Sequence, residues 1–224
     1  MAQTEIVSID KKVSSHKSVK TTGYVSKRIF DLVVGFAALL VALPFMILIA
    51  IAIKIDSKGP VIFGHTRVGK DGKSFKCLKF RTMVMNSQEI LDNLLLENPQ
   101  LREEWEKDFK LKNDPRITRV GHFLRKTSLD ELPQLVNVIK GEMSLVGPRP
   151  IINKEVQKYG NYYEIYKAVL PGITGLWQVS GRNDIDYEER VQLDVRYVRN
   201  WSLWMDIKIL IRTAGIVLGR KGAY

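Results

Sequence analysis

Residues 32–53 read LVVGFAALLVALPFMILIAIAI, a run of 22 residues that contains no charged side chain. A helix of about 20 apolar residues is long enough to enter a bilayer core that is about 30 Å thick. A helix in a soluble core is rarely apolar on every face over such a length. The run is also too long for a secretory signal, and no typical cleavage site follows it. The sequence therefore predicts a membrane-inserted helix.

Pro44 lies in the middle of this run and predicts a break, because proline removes one helical hydrogen bond and clashes with the preceding turn. Each half is about 12 residues and about 18 Å long, which is too short to cross the bilayer core. Basic residues flank both ends, and the positive-inside tendency would keep both ends in the cytoplasm. They are Lys17, Lys20, Lys27 and Arg28 before the run and Lys54, Lys58, Arg67, Lys70 and Lys73 after it. We therefore predict a reentrant helix, with a kinked spanning helix as the alternative, since transmembrane helices tolerate proline.

The rest of the chain divides around this segment. Residues 1–24 are rich in lysine and serine and predict a flexible basic tail. Residues 25–58 form the reentrant segment broken at Pro44, and residues 59–224 predict a cytosolic catalytic domain. The expected fold class is α+β and mainly helical. A reentrant helix-break-helix joins a small domain that has a short β element and interfacial amphipathic helices.

Local patterns predict the elements of the domain. Short strands are expected at residues 61–63 and 75–80, around a turn at residues 69–72. Helices are expected over 87–110 with a break near Asn98-Pro99, over 117–125, over 128–140, after a loop within 142–159, and over 186–199; loops are expected at 171–175 and 180–183. Ser128 resembles the N-cap of a helix. Residues 201–219 predict either an interfacial helix, with Trp201 and Trp204 at headgroup level, or an ordinary buried helix.

Composition limits the class of partner. The net charge of +11 and a pI near 9.7 favour an anionic partner, which is nucleic acid, an acidic lipid surface or a phosphorylated substrate, unless the charge only solvates the surface. The apolar run explains this charge without nucleic acid. Cys77 is the only cysteine, so no internal disulfide forms, and it is expected to pack as a small hydrophobe. The three histidines have no zinc-site spacing with Cys77, and no structural metal is expected.

Nucleotide-binding loops are absent from the sequence. Residues 64–70 fit the phosphate-binding loop of nucleotide hydrolases until the next position, where Asp71 replaces the required serine or threonine. No dinucleotide-binding glycine fingerprint occurs either. These observations argue against nucleotide hydrolysis of that type.

Asp130 and Glu131 are the strongest candidates for chemistry. Arg125, Arg149 and Arg182 are candidate neighbours of this pair, and their planar guanidiniums suit phosphate oxygens. A carboxylate beside such cations is expected to keep a low pKa and to hold Mg²⁺, act as a base or attack phosphorus. The structural alternative is that both residues only stabilise the first turn of a helix, where acidic side chains are favoured.

From about Ser26 to its C-terminus, the chain resembles the bacterial sugar transferase family, whose members are monotopic phosphoglycosyltransferases that act on polyprenyl phosphate. The matching segments, in the same order, are Lys27–Asp31, Pro44 in the apolar run, Lys79–Met83, Asp114–Arg116, Leu124–Gln134, Met143–Pro150 and Pro171–Arg182. One position departs from the family pattern, because Leu43 precedes the proline where the family often has serine.

The resemblance implies transfer of a sugar-1-phosphate from a UDP-sugar to undecaprenyl phosphate, with release of UMP. By analogy, Asp130 is the nucleophile that forms an aspartyl phosphosugar, Glu131 assists the acceptor, and Mg²⁺ binds near Asp130. The implied substrate-binding residues are Arg125, Arg182, Lys79 and Arg81, with Pro148, Arg149 and Pro150 at the uridine; Lys27, Arg28 and Pro44 are implied at the lipid headgroups.

The resemblance also implies a cellular location and interaction partners. It predicts the cytosolic face of a bacterial inner membrane, the first step of surface glycan synthesis, and a hexose such as galactose or glucose. Membrane lipids, a second copy of the chain and downstream glycosyltransferases are candidate partners, and nucleic acid is not. Two rival functions are a non-catalytic basic scaffold on the membrane and an enzyme that transfers the sugar directly, without a covalent intermediate.

Overall fold

The computed structural model describes residues 21–108, 111–181 and 185–219 of the 224-residue chain. Within these ranges the fold is mainly helical with two small sheets, as predicted. The helices are α1 (Thr21–Asp56), α2 (Ser87–Glu97), α3 (Pro99–Asp108), α4 (Arg119–Thr127), α5 (Gln134–Lys140), α6 (Val156–Tyr159), α7 (Tyr163–Lys167), α8 (Tyr187–Arg199) and α9 (Leu203–Leu218). The strands are β1 (Ile62–Val68), β2 (Ser74–Phe80), β3 (Ser144–Val146) and β4 (Gly172–Thr174). Short 3₁₀ turns include Leu129–Glu131 and Trp177–Val179.

Helix α1 contains the apolar run, and by length and composition alone it is able to cross a membrane. Its most apolar 18-residue window has a mean hydropathy of 2.9. The helix continues through Pro44, so the predicted division into two helices is not seen. One missing hydrogen bond is tolerated because the turns on both sides of the proline remain helical. The reentrant path therefore stays a prediction.

One face of α1 packs against the globular domain along most of its length. The partly or fully buried positions recur every three or four residues, which is the spacing of one helical face. They include Phe30, Val34, Ala38, Ala42, Met46, Ile49 and Ile53. The opposite face is apolar and exposed: Val41 is 71% exposed and Leu48 is 64% exposed. The helix therefore presents one side to protein and the other side to its surroundings.

Polar contacts fix both ends of α1 to the domain. Near its start, the Arg28 guanidinium donates to the carbonyls of Val138 and Ile139 at 2.6 and 2.9 Å, at the end of α5. At its last residue, the Asp56 carboxylate accepts from the Val120 amide at 3.1 Å, in the first turn of α4. These contacts satisfy backbone groups that helix ends leave unpaired. Helix α1 therefore holds both α4 and α5.

A buried ion pair joins α1 to α9. Lys27 Nζ lies 3.2 Å from Asp31 and 2.9 Å from Asp206, and both carboxylates are almost fully buried. Asp206 also accepts from the Tyr197 hydroxyl at 2.7 Å and from the Trp201 indole at 3.1 Å. This network supplies the partners that buried charges require.

The two sheets bring distant segments together. Strands β1 and β2 form the predicted antiparallel hairpin, with Phe63 opposite Lys79, His65 opposite Cys77 and Arg67 opposite Phe75. Strands β3 and β4 pair in parallel, and sequence patterns missed them because each has only three residues. A Cβ on Gly172 would overlap the backbone of Gly147. The Gly147–Pro150 and Pro171–Gly175 motifs therefore lie side by side.

The predicted helix over 128–140 is partly wrong. Ser128 adopts a left-handed conformation, with φ of 57°, and ends α4 without a side-chain capping bond. Asp130 and Glu131 belong to a separate 3₁₀ turn that precedes α5. The N-cap prediction for Ser128 fails because a left-handed residue terminates a helix. Two other boundaries agree with expectation: α2 ends and α3 begins around Asn98, and Asp186 caps α8. Strand β1 is longer than the expected 61–63, and the loop expected at 171–175 contains β4.

Helix α9 is buried on one face only. Asp206 and Ile209 are almost fully buried, whereas Trp204 and Ile211 are more than 60% exposed. The Lys208 ammonium lies 5.4 Å from the centre of the Trp204 ring. Neither sequence-based alternative describes the helix fully, since it packs on the domain and also exposes an apolar and basic face. Contact of this face with lipid stays a prediction.

Replacing Asp206 with alanine is expected to lower the free energy of unfolding by about 3–5 kcal/mol, because Lys27 and Tyr197 then lose a buried partner. Thermal denaturation of the detergent-solubilised protein measures this loss. Lys208→Ala on the same helix is the matched control, and it should change stability by about 0.5 kcal/mol or less. Equal effects of the two substitutions would show that the buried network does not stabilise the contact between α1 and α9.

Candidate active site

The carboxylate pair lies in the turn between α4 and α5. Asp130 is 8% exposed, and its backbone is held by the 3₁₀ turn Leu129–Glu131. On the flanks of this turn, Leu124 and Leu135 are buried in two clusters that also contain residues of α1. The turn therefore has little freedom to move relative to the apolar helix.

Lys79 on β2 binds both carboxylates. Its Nζ lies 3.3 Å from Asp130 Oδ2 and 2.7 Å from Glu131 Oε1. Burial opposes the charge of Lys79, but Glu131 and Asp130 outweigh burial and raise the pKa of the ammonium. The sequence analysis predicted that Lys79 contacts substrate. In the structure its ammonium lies at the carboxylate pair.

Burial raises the pKa of Asp130 above its ordinary value, and the charge of Glu131 raises it further. Lys79 and Arg125 lower this pKa but do not compensate for the loss of solvent. The expectation that adjacent cations keep the pKa of Asp130 low was therefore wrong in direction. A more basic carboxylate is a better nucleophile once it has lost its proton.

Arg125, on α4, is the second cation near Asp130. Its Nε donates to the Thr82 hydroxyl at 3.0 Å, so the segment after β2 orients the guanidinium. Burial lowers the pKa of Arg125. The negative charge of Asp130 partly offsets this effect because it stabilises the charged guanidinium. Gly121 allows this approach, since a Cβ there would overlap the Thr82 backbone. The predicted position of Arg125 beside Asp130 is therefore present in the structure.

A second cluster of cations, here called the arginine centre, consists of Arg67, Arg149 and Arg190. The guanidinium carbons of Arg149 and Arg190 lie 5.6 and 4.4 Å from the centre of the Trp177 ring. Arg67 donates to the Pro150 carbonyl at 3.3 Å. Burial lowers the pKa values of Arg67 and Arg190, and repulsion by Arg149 lowers both further. Such mutual repulsion is relieved when an anion binds.

Two buried nitrogen atoms, one in the arginine centre and one in the adjacent Trp177, have no hydrogen-bond partner among the described residues. They are the indole Nε1 of Trp177 and Nε of Arg190. Trp177 is 5% exposed, so its indole nitrogen has little access to bulk water. Buried donors without partners are costly, and a ligand with acceptor oxygens would satisfy them.

The β1–β2 hairpin connects the two centres. Lys79 on β2 is opposite Phe63 on β1. Arg67 lies four residues beyond Phe63 on the same face of the hairpin, a distance of about 13 Å along the strand. Cys77 lies between them and is almost fully buried. Burial raises the pKa of the Cys77 thiol, and the charges of Lys79, Arg67, Glu131 and Arg149 all act on it. The carboxylate pair and the arginine centre therefore flank one site.

Several residues predicted to bind substrate or lipid have intramolecular partners. Arg81 is 6% exposed and donates to the carbonyls of Ser57 and Lys58, so it holds the turn after α1. Lys27 and Arg28 contact carboxylates and carbonyls of the domain, and lipid contact by either stays a prediction. Pro148 is buried, and its carbonyl accepts from the Gly172 amide. Arg182 lies outside the described residues.

Sequence reasoning missed Arg67, Arg190 and Trp177. Trp177 stood inside a matching motif without an assigned role, and Arg190 looked like one of many charges on a helix. The strand alternation of β1 contained a usable signal, because residues 63, 65 and 67 must share one face. The positions of Arg190 and Trp177 beside Arg149 depend on contacts between segments that are distant in sequence.

The described residues contain no group of three or more histidine, cysteine, aspartate or glutamate side chains that is arranged to hold a metal ion. Mg²⁺ is often bound by one or two protein carboxylates together with substrate phosphates. Asp130 and Glu131 fit that pattern as a pair, so the donors present suit an ion that arrives with a diphosphate.

A long apolar helix lies beside the Asp130–Glu131 pair and a cluster of guanidiniums, an arrangement suited to an anionic ligand next to a membrane-compatible helix. The chain belongs to the bacterial sugar transferase family, whose sequence pattern matches residues 22–220. This match confirms the resemblance inferred from the motifs.

Individual relatives are similar over most of this chain. An undecaprenyl-phosphate galactose phosphotransferase of Salmonella typhimurium is 60% identical over 198 residues, 88% of this chain and 41% of its own length. A UDP-galactose-lipid carrier transferase of Erwinia amylovora is 56% identical over 210 residues, 94% of this chain and 44% of its own length. The chain thus spans less than half of these two proteins. The exopolysaccharide production protein ExoY of Rhizobium meliloti is 48% identical over 207 residues, 92% of each chain.

Proposed function

We propose that this protein transfers a sugar-1-phosphate from a UDP-sugar to undecaprenyl phosphate and releases UMP, as an initiating step of surface polysaccharide synthesis. The observation that carries the proposal is the buried Asp130, paired with Glu131 across Lys79 and flanking one site with the arginine centre. The names of the Salmonella and Erwinia relatives support a hexose such as galactose. Relatives named for UDP-glucose, at 42% identity, support glucose as the alternative.

In the first step, a carboxylate oxygen of Asp130 attacks the β-phosphorus of the UDP-sugar. The bond between this phosphorus and the oxygen that bridges to the α-phosphate breaks, and UMP leaves with the electron pair. The raised pKa of Asp130 favours this attack, because a more basic oxygen forms the stronger bond to phosphorus. The product is an acyl phosphate that joins Asp130 to the sugar phosphate.

In the second step, a phosphate oxygen of the lipid attacks the same phosphorus and displaces Asp130. Glu131 is partly exposed beside Asp130 and is placed to orient the acceptor or to take its proton. The Lys79 and Arg125 cations offset the negative charge that gathers when two phosphates and two carboxylates meet. The two steps conserve all atoms, with UMP and the lipid diphosphosugar as products.

Mg²⁺ is part of this proposal, and Asp130 and Glu131 are the residues that would hold it together with the substrate. When bound, it would neutralise phosphate charge and make UMP a better leaving group. Lys79 already lies between the two carboxylates. This ammonium therefore holds the two carboxyl groups close together before substrate arrives.

The membrane part of the proposal is that α1 enters one leaflet without crossing. Its buried face packs on the globular domain from the region of Phe30 to Ile53. A spanning orientation would draw that domain, with its polar surface, into hydrocarbon, which is costly. Such a shallow position brings Asp130 near the lipid phosphates and raises the local concentration of the two substrates. A second copy of the chain and downstream glycosyltransferases remain predicted partners.

Asp130→Asn is expected to abolish formation of the covalent phosphosugar, because the amide cannot attack phosphorus. Glu131→Gln should still form the adduct but transfer it to lipid slowly, by about 10²-fold or more if Glu131 is the base. Intact-mass spectrometry after incubation with the UDP-sugar and Mg²⁺ measures the adduct in both variants. Adduct formation by Asp130→Asn would contradict the assignment of the nucleophile.

Cysteines placed at Ser26 and Lys58, in a Cys77→Ser background, are expected to react with a membrane-impermeant maleimide only when the cytosolic side is exposed. Both positions are exposed and lie near or beyond the two ends of the apolar run. Labelling of intact and opened spheroplasts measures the side of each cysteine. A spanning helix would instead give opposite sides for the two positions.

A further inference from the structure

His65 lies on β1 between the carboxylate pair and the arginine centre. In the hairpin, Phe63 is opposite Lys79, His65 is opposite Cys77 and Arg67 is opposite Phe75. Directly opposed residues of an antiparallel pair share a face, so Lys79, His65 and Arg67 occupy the same face. Along β1, His65 lies about 7 Å beyond the position opposite Lys79, and Arg67 lies about 7 Å beyond His65.

The ring of His65 has a defined orientation. Nη2 of Arg67 lies 3.1 Å from Nδ1 of His65. A guanidinium has only donors, so Nδ1 must accept this hydrogen bond and carries no proton. In the neutral imidazole the proton therefore sits on Nε2, which the described hydrogen bonds do not use. His65 is exposed, so Nε2 is accessible to a ligand.

The surroundings of His65 suit a phosphate. Burial of part of the ring lowers its pKa, and Arg67, Lys79 and Lys76 lower it further, while Glu155 has the opposite effect. At neutral pH the ring is an uncharged donor between two permanent cations. A diphosphate whose β-phosphorus faces Asp130 would extend along this face toward Arg67.

We propose that His65 is a substrate-binding residue whose Nε2–H donates a hydrogen bond to the diphosphate of the nucleotide sugar. This inference rests on the proposed function, since it needs the nucleotide to extend from the carboxylate pair to the arginine centre. His65 acts on binding of the nucleotide, whereas Asp130 and Glu131 act on the reacting phosphorus.

A purely structural role for His65 makes a different prediction. If the ring only oriented Arg67, its Nδ1 acceptor would matter and its Nε2 donor would not. Asparagine places an acceptor near the position of Nδ1 and lacks the distal donor, whereas glutamine places an amide donor near the position of Nε2. The two substitutions therefore separate the two roles.

The experiment measures the affinity of the full-length, detergent-solubilised protein for UDP, with Mg²⁺ present, by isothermal titration calorimetry. His65→Asn should weaken UDP binding about tenfold or more, since it removes a hydrogen bond to a charged group, and His65→Gln should bind within about threefold of wild type. Thr66→Val is the matched control, because Thr66 is the next residue and points to the opposite face, where it pairs with Lys76. It should bind UDP as the wild type does.

Each alternative result has a definite meaning. Wild-type affinity in both His65 variants overturns the inference and leaves the proposed function intact. Loss in His65→Gln but not in His65→Asn, or equal loss in both, overturns the donor role in favour of a structural role. A wild-type protein that does not bind UDP overturns the proposed function and this inference with it. Thermal denaturation of each variant confirms that the hairpin remains folded.

Discussion

The packing of one face of α1 against the domain is the constraint on which the site depends. Arg28 binds the end of α5 and Asp56 binds the start of α4, so the apolar helix holds the two helices that flank the carboxylate turn. Asp130 is thereby fixed relative to a helix whose other face is apolar and exposed. If α1 enters a membrane as proposed, this packing sets the depth of Asp130, without a flexible linker between the helix and the carboxylate turn.

Electrostatics explains why so many charges are collected in a small volume. Lys79 holds two adjacent carboxylates together, while the charge of Arg149 repels both Arg67 and Arg190. Each centre alone is costly to bury. In the proposed function, the phosphates of a nucleotide diphosphate would meet these cations, and its acceptor oxygens would satisfy donors such as Trp177 Nε1 and Arg190 Nε.

The sequence predicted the elements whose signals are local. The apolar run, the hairpin turn and the break at Asn98 each follow from neighbouring residues, and the Asp130–Glu131 pair was found by its motif. What failed depends on distant contacts: Ser128 ends a helix, and burial raises the pKa of Asp130. Arg81 supports a turn, and its contact with substrate stays a prediction. Three-residue strands such as β3 carry too little pattern to detect. Arg67 and Arg190 become neighbours of Arg149 only after folding.

The central claim is that Asp130 takes up the sugar phosphate before the lipid takes part. Rapid-quench measurement of UMP release from the UDP-sugar, with Mg²⁺ and no lipid acceptor, tests it directly. The account predicts a burst of one UMP for each active protein chain, followed by steady turnover only after undecaprenyl phosphate is added. UMP release that begins only when the lipid is present would contradict the covalent intermediate and favour direct transfer.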